Sequence, residues 1–204
     1  MIAIIDYGLG NLKAFVNIYK KLDISVKLAK CEEDLEEVSK IILPGVGAFD
    51  FAMNKLNQSG MRKKLDYLIV ERKMPVIGIC VGMQILANTS DEGTNAGLGY
   101  INGEVKKFDV SVFKQKTHLP HMGWNNVEIK PNNPLFAHLE PNPLFYFLHS
   151  YYFSCNNNSD GIAESFYGEK FVCAVHHENI FGVQFHPEKS HKYGIQLLKN
   201  FAEL

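Results

Sequence analysis

Val76-Ile77-Gly78-Ile79-Cys80-Val81-Gly82-Met83-Gln84 runs from a short apolar stretch into a cysteine set between two glycines, and a helical pattern follows. That layout is a strand entering a sharp elbow, with a thiol at its apex. A free thiol titrates near ~8.5 and is mostly protonated at neutral pH; a helix N-terminus or a nearby imidazole lowers that value. Gly78 and Gly82 allow the sharp turn and the close approach of neighbouring backbone, as in the analogous serine elbow. The amide of Val81 then points to where a tetrahedral oxyanion forms. On its own, a Gly-x-Cys-x-Gly run suits a buried thiol at a strand end equally well.

Working outward, the N-terminal half alternates between two periodicities. Ile2–Asp6, Ile24–Leu28, Ile41–Leu43 and Val76–Ile79 are short apolar runs with strand character. Between them, Leu12, Phe15, Val16, Tyr19 and Leu22 fall at helix spacing behind Asn11, a candidate N-cap. The acidic Cys31–Ser39 stretch reads as a short surface helix, and Phe49–Leu56, Met61–Arg72 and Met83–Asn88 as further helices. Alternation of this kind predicts an α/β fold with a mostly parallel central sheet flanked by helices. Beyond Gly93 the texture changes. Val105–Phe108, Val127–Ile129, Leu144–Leu148, Tyr151–Cys155, Phe171–His176 and Ile180–Phe185 are closely spaced apolar runs separated by Gly, Pro and Asn. They predict an additional antiparallel or mixed β portion in the C-terminal half. A helix over Ser190–Leu204 closes the chain, and residues 1–204 are expected to form a single domain.

Bulk properties narrow the function classes. The 204 residues are 46% hydrophobic with a net charge of −1, so no generic pull on nucleic acid or an anionic membrane is expected. No apolar run approaches the ~20 residues of a spanning helix. The opening Met1–Asp6 is too short for a secretion signal and lacks a basic leader. Cys31, Cys80, Cys155 and Cys173 are widely spread without a CxxC pair, which fits free thiols in a reducing cytoplasm. No cluster has metal-ligand spacing, so neither a metal nor a cofactor is expected. Gly8-Leu9-Gly10 lacks the third glycine of a dinucleotide loop, and no P-loop is present.

A thiol nucleophile needs a base, and the base needs an orienting group. Gln184-Phe185-His186-Pro187-Glu188 offers an imidazole and a carboxylate two residues apart. In extended chain these lie on one face, and Pro187 stiffens φ between them. Alone, His-Pro-Glu also suits an ordinary turn.

Taken together, Gly-Ile-Cys-Val-Gly-Met-Gln at 78–84 and Gln-Phe-His-Pro-Glu-Lys-Ser at 184–190 resemble the class I (triad) glutamine amidotransferases. Three further blocks, Pro44–Phe49, Pro120–Asn125 and Tyr146–Tyr152, with Asp6–Leu12, are similar to the glutaminase subunits of imidazole glycerol phosphate synthases. The resemblance implies a Cys80, His186, Glu188 triad hydrolysing glutamine through a thioester. It implies an oxyanion hole from the amides near Val46 and Gly47 and from that of Val81. Glutamine is then held by Gly47, Gln84 and the backbone around Ser150 and Tyr151. The partner implied is a (β/α)8 barrel cyclase subunit, joined in a heterodimer, that receives ammonia through its core. In such complexes the residue matching Trp124, the sole tryptophan, lies at the contact between subunits, and Trp124 is expected at the partner interface; a core aromatic is the plainer alternative.

Lys13-Ala14-Phe15 and Gly99–Gly103 depart from the commonest pattern of these subunits, outside the triad. They leave the ammonia acceptor open. One alternative is a paralogous glutaminase subunit feeding surface-sugar amidation. Another, of a different class, is a non-catalytic regulatory module that binds glutamine; an intact Cys80, His186 and Glu188 weighs against it.

Overall fold

A computed structural model describes residues 1–113 and 118–204. The elements in chain order are β1 (Ile2–Ile5), α1 (Leu12–Lys21), β2 (Val26–Ala29), β3 (Lys40–Gly45), α2 (Phe49–Gln58), α3 (Arg62–Asp66), β4 (Val76–Cys80), α4 (Val81–Gln84), β5 (Thr89–Ser90) and β6 (Gly103–Lys107). They continue with β7 (His121–Asn126), β8 (Glu128–Ile129), β9 (Leu144–His149), β10 (Tyr151–Cys155), β11 (Gly161–Tyr167), β12 (Glu169–His177), β13 (Ile180–Val183) and α5 (His191–Glu203). Among the described residues the main sheet runs β2-β1-β3-β4-β13-β12-β10-β6-β5, with β11 and β8 joined to it through β12. From β2 to β13 every pairing is parallel; β13–β12, β12–β10 and β10–β6 are antiparallel. A second sheet pairs β7 with β9. This is the expected architecture, a parallel α/β half followed by a mixed half.

The central strands are buried on both faces because their residues are apolar without alternation. Every residue of β1 and of β4 is buried, as parallel strands between helices require. α1 turns Phe15 and Tyr19 inward, and the Tyr19 hydroxyl donates to the Leu198 carbonyl of α5 at 3.0 Å.

Several local expectations are corrected. The acidic Cys31–Ser39 stretch holds only a 3-10 turn at Glu33–Leu35, since it presents no continuous apolar stripe to the core. The helix after the elbow starts at Val81 and lasts one turn. The Met61–Arg72 pattern is α3 followed by a π turn over Tyr67–Glu71. Asn11 stands at the N-cap of α1 without a capping side-chain bond. The Pro120–Asn125 block, which falls in none of the expected strands, lies mostly on β7 (His121–Asn126), and β11 likewise had no counterpart among them.

Candidate active site

β4 delivers Cys80 to the end of the parallel sheet with φ 55° and ψ −113°, a conformation that L side chains rarely adopt. The flanking glycines permit it. A Cβ on Gly82 would lie 1.9 Å from the Leu43 carbonyl oxygen, and one on Gly78 would lie 2.4 Å from the Gly82 carbonyl oxygen. The elbow therefore packs backbone on backbone against β3, whose Gly45 registers opposite Cys80. The chain beyond Gly45, at Val46 and Gly47, consequently runs beside the thiol.

The topology also explains how distant motifs meet. β13 pairs parallel with β4, Gly182 opposite Gly78 and Val183 opposite Ile79. The chain leaving β13 thus emerges at the same end as Cys80, carrying residues 184–188. His186 is clamped there. Its N–H donates to the Tyr146 carbonyl at 2.8 Å, and its carbonyl accepts from Ser190 Oγ at 2.6 Å. His186 Nδ1 meets Glu188 Oε1 at 2.9 Å, with the two side chains 4% and 2% exposed. Burial pushes the His186 pKa down, but hydrogen bonds and charge from Cys80 and Glu188 outweigh it and raise the pKa to about 10. Thiol, imidazole and carboxylate therefore form one interacting set, with the imidazole turned between the other two.

Val46, Gly47, Cys80, Val81, Gln84, Ser150, Tyr151 and His186 all line one cavity of about 270 Å³. Glu188 stands behind His186 and outside that lining. Four larger hollows, of about 680, 610, 420 and 310 Å³, hold none of the candidate residues, so chemistry rather than size identifies the site. Trp124 lies apart on β7, 47% exposed, stacked on His191 at 5.2 Å and edge-on to Tyr146. It is a surface aromatic, not a core one.

The structure adds residues to which the sequence assigned no role. Glu92 and Lys189 line the cavity, and one Glu92 oxygen accepts from the Phe49 N–H at 2.8 Å. Gln184 is fully buried, and its amide faces the thiol. Their only signal in the chain was proximity to the elbow and to His186. Among the described residues no group of three or more His, Cys, Asp or Glu side chains is arranged to hold a metal ion. No helix among them is long and apolar enough to cross a membrane.

Comparison with known proteins agrees with this geometry. The imidazole glycerol phosphate synthase subunit HisH of Leptospira interrogans is 53% identical over 204 residues, covering 100% of both chains. HisH of Bdellovibrio bacteriovorus is likewise 53% identical over the full length of both. A solved structure of a glutamine amidotransferase from Thermotoga maritima superposes with a TM-score of 0.64 over 99% of this chain and 83% of that one, at 20% identity, a likeness of fold. The family model for class-I glutamine amidotransferases matches residues 3–204 and so takes in the elbow and the His186–Glu188 segment alike; this chain belongs to that family.

Proposed function

We propose that this chain is the glutaminase subunit of a cytoplasmic imidazole glycerol phosphate synthase, a single domain over residues 1–204. It hydrolyses glutamine to glutamate and passes the ammonia to a (β/α)8 barrel cyclase subunit in histidine biosynthesis. Full-length identity to proteins named HisH supports the pathway. The observation that carries the chemistry is the buried 2.9 Å contact between His186 and Glu188 beside the Cys80 elbow.

With its proton already held by His186, whose pKa is raised to about 10, Cys80 Sγ attacks the side-chain amide carbon of glutamine as the thiolate. Negative charge gathers on the amide oxygen. The Val81 N–H is suited to meet it, since first-turn amides of a helix lack an intrahelical acceptor. The amides around Val46 and Gly47, on the chain leaving β3, complete the pocket. His186 gives its proton to the departing nitrogen, and ammonia leaves a γ-glutamyl thioester on Cys80. Water, deprotonated by His186, then attacks the thioester, and the thiol and glutamate are regenerated. Glu188 holds the imidazole and balances its charge. Gln84 and the Ser150–Tyr151 backbone hold the substrate, and Glu92 suits its α-ammonium. Trp124 anchors the partner subunit, where a half-exposed aromatic suits an interface.

The test is glutaminase activity of the complex with the barrel subunit. Cys80→Ala abolishes glutamate release and leaves complex formation intact; hydrolysis persisting in clean variant protein refutes the nucleophile assignment. Co-purification of this chain with a barrel from surface-sugar amidation, instead of the cyclase, refutes the pathway.

A further inference from the structure

Cys80 has a polar neighbour that the triad does not use. Gln184 follows β13, is fully buried, and its Nε2 donates to Cys80 Sγ at 3.7 Å. A carboxamide has a donor end and an acceptor end, so something must decide which one faces the sulfur. Gln84 Nε2 donates to Gln184 Oε1 at 3.0 Å, which turns the Gln184 nitrogen toward the thiol. The other proton of the Gln84 nitrogen goes to the Tyr151 carbonyl at 3.2 Å.

That carbonyl has a second donor, His149 Nδ1 at 2.8 Å. A carbonyl only accepts, so His149 carries its proton on Nδ1. Burial first, with the charges of His121 and His186, holds His149 neutral with a pKa of about 3 against the pull of the Tyr151 carbonyl. Its Nε2 is then an acceptor, and the 3.0 Å contact with His121 Nδ1 makes His121 the donor. Burial likewise holds His121 neutral, with a pKa of about 4. Its Nε2 therefore accepts from Asn125 Nδ2 at 3.2 Å. Asn125 stands on β7 next to Trp124, and its amide nitrogen also donates to the Phe166 carbonyl at 2.8 Å. Each bond in this series fixes the direction of the next.

The geometry points to Gln184 as a catalytic hydrogen-bond donor to the nucleophilic sulfur, oriented by Gln84 and the Tyr151 carbonyl, with His149, His121 and Asn125 holding that carbonyl in place from the Trp124-bearing strand. The inference rests on Cys80 as the nucleophile. The chemical role follows from the other contact of the sulfur. Cys80 Sγ donates to the Leu148 carbonyl at 3.9 Å, a bond that only the protonated thiol makes. The thiolate needs donors, and Gln184 supplies one. The same N–H serves the thiolate again when it leaves the second tetrahedral intermediate. His121, His149 and Asn125 are positioning residues. They hold the Tyr151 carbonyl and, through it, Gln84.

Other ionisable groups around the sulfur are accounted for. His186 contacts it from the turn after β13, with Glu188 behind. Tyr7 donates to the Pro44 carbonyl at 2.6 Å and is kept neutral by burial and by Cys80. Glu92 and Lys189 line the wider cavity.

The experiment is iodoacetamide alkylation of the full chain across pH, with the Cys80 peptide quantified by mass spectrometry apart from those of Cys31, Cys155 and Cys173. Gln184→Met keeps the length of the side chain and removes the donor. The midpoint for Cys80 alkylation is expected to rise by about one pH unit, ~1.4 kcal/mol against the thiolate. Gln184→Glu, a second variant should the first fold poorly, removes the donor and adds a like charge, and its midpoint rises at least as far. His121→Phe keeps the stack between Phe147 and Tyr167 and breaks the outer half of the chain; a smaller upward shift, about half a unit, is expected. An unmoved midpoint in folded Gln184→Met or Gln184→Glu overturns the role of Gln184. A shift there with none in His121→Phe overturns the coupling to β7. Failure of wild-type Cys80 to react overturns the nucleophile assignment and this inference with it.

Discussion

Replacing Cys80 by glycine is expected to leave a more stable protein than replacing it by alanine, the reverse of the order at an ordinary strand position. Both variants lose the sulfur, and they differ by one Cβ. At a buried strand position glycine costs ~0.5–1 kcal/mol of extra backbone entropy relative to alanine. Loss of a buried methyl adds ~0.8 kcal/mol. Alanine should therefore win by about 1.5 kcal/mol on these two terms. At Cys80, however, φ is 55° and ψ −113°, so the Cβ itself is strained. A side chain held in such a region costs ~1–3 kcal/mol, which glycine does not incur. With ~2 kcal/mol of strain the balance tips to glycine by about 0.5 kcal/mol. Ala3, buried in the middle of β1, is the control: Ala3→Gly should lose the full ~1.5 kcal/mol, roughly 3–6 °C in Tm for a chain of this size. Urea unfolding at matched m-values reads both differences. An alanine variant at position 80 that outlasts the glycine variant by as much as the wild-type chain outlasts Ala3→Gly refutes strain at Cys80.

Other expectations rest on separate features. His121 and His149, held near pH 4 and 3, stay neutral in the native state while the unfolded chain takes up protons near 6.5. The unfolded state therefore binds about two more protons on acidification, and stability should fall below pH 6.5 with a steepest slope of ~2.7 kcal/mol per pH unit before easing near pH 4; urea midpoints that stay flat from pH 7 to 5 would contradict this. Glu188→Gln removes the charge on which the imidazole leans and is expected to cut kcat of the complex by ~10²-fold or more with KM little changed; steady-state kinetics with undiminished turnover defeats the orienting role. Trp124→Ala should weaken binding of the cyclase subunit by ~30-fold, as for an interface anchor, with Tm nearly unmoved; calorimetric titration checks it, and collapse of the fold in place of weaker binding overturns the anchor assignment.

What the amino-acid sequence revealed, and what it hid, divides by the range of the interactions involved. The elbow was readable because its constraint is local: two glycines within a few residues of Cys80 make the close backbone approach possible. The parallel strands were readable because burial on both faces leaves an unbroken apolar run. β7 was missed because only one of its faces is buried, and its residues include His121, Gly123 and Asn125, which are poor strand formers. β11 likewise carries poor strand formers in Gly161, Ala163, Glu164 and Ser165 and is held by pairing with β12 and β8. The acidic Cys31–Ser39 run erred in the other direction: helix-forming residues were there, but only Leu35 and Val38 are buried, too few to anchor a helix. Glu92 and Gln184 were invisible for a different reason. A glutamine carries no reactive signature, and its significance here comes wholly from which end of the amide faces Cys80. That choice is made by Gln84 and the Tyr151 carbonyl, held in place by His149 and His121, which the chain brings together from α4, β10, β9 and β7. The triad is written in two short segments, whereas the orientation of the groups around it is a property of the assembled sheet. Substitutions in β7, far from the sulfur in sequence, should therefore register in the chemistry of Cys80 before they register in the stability of the fold.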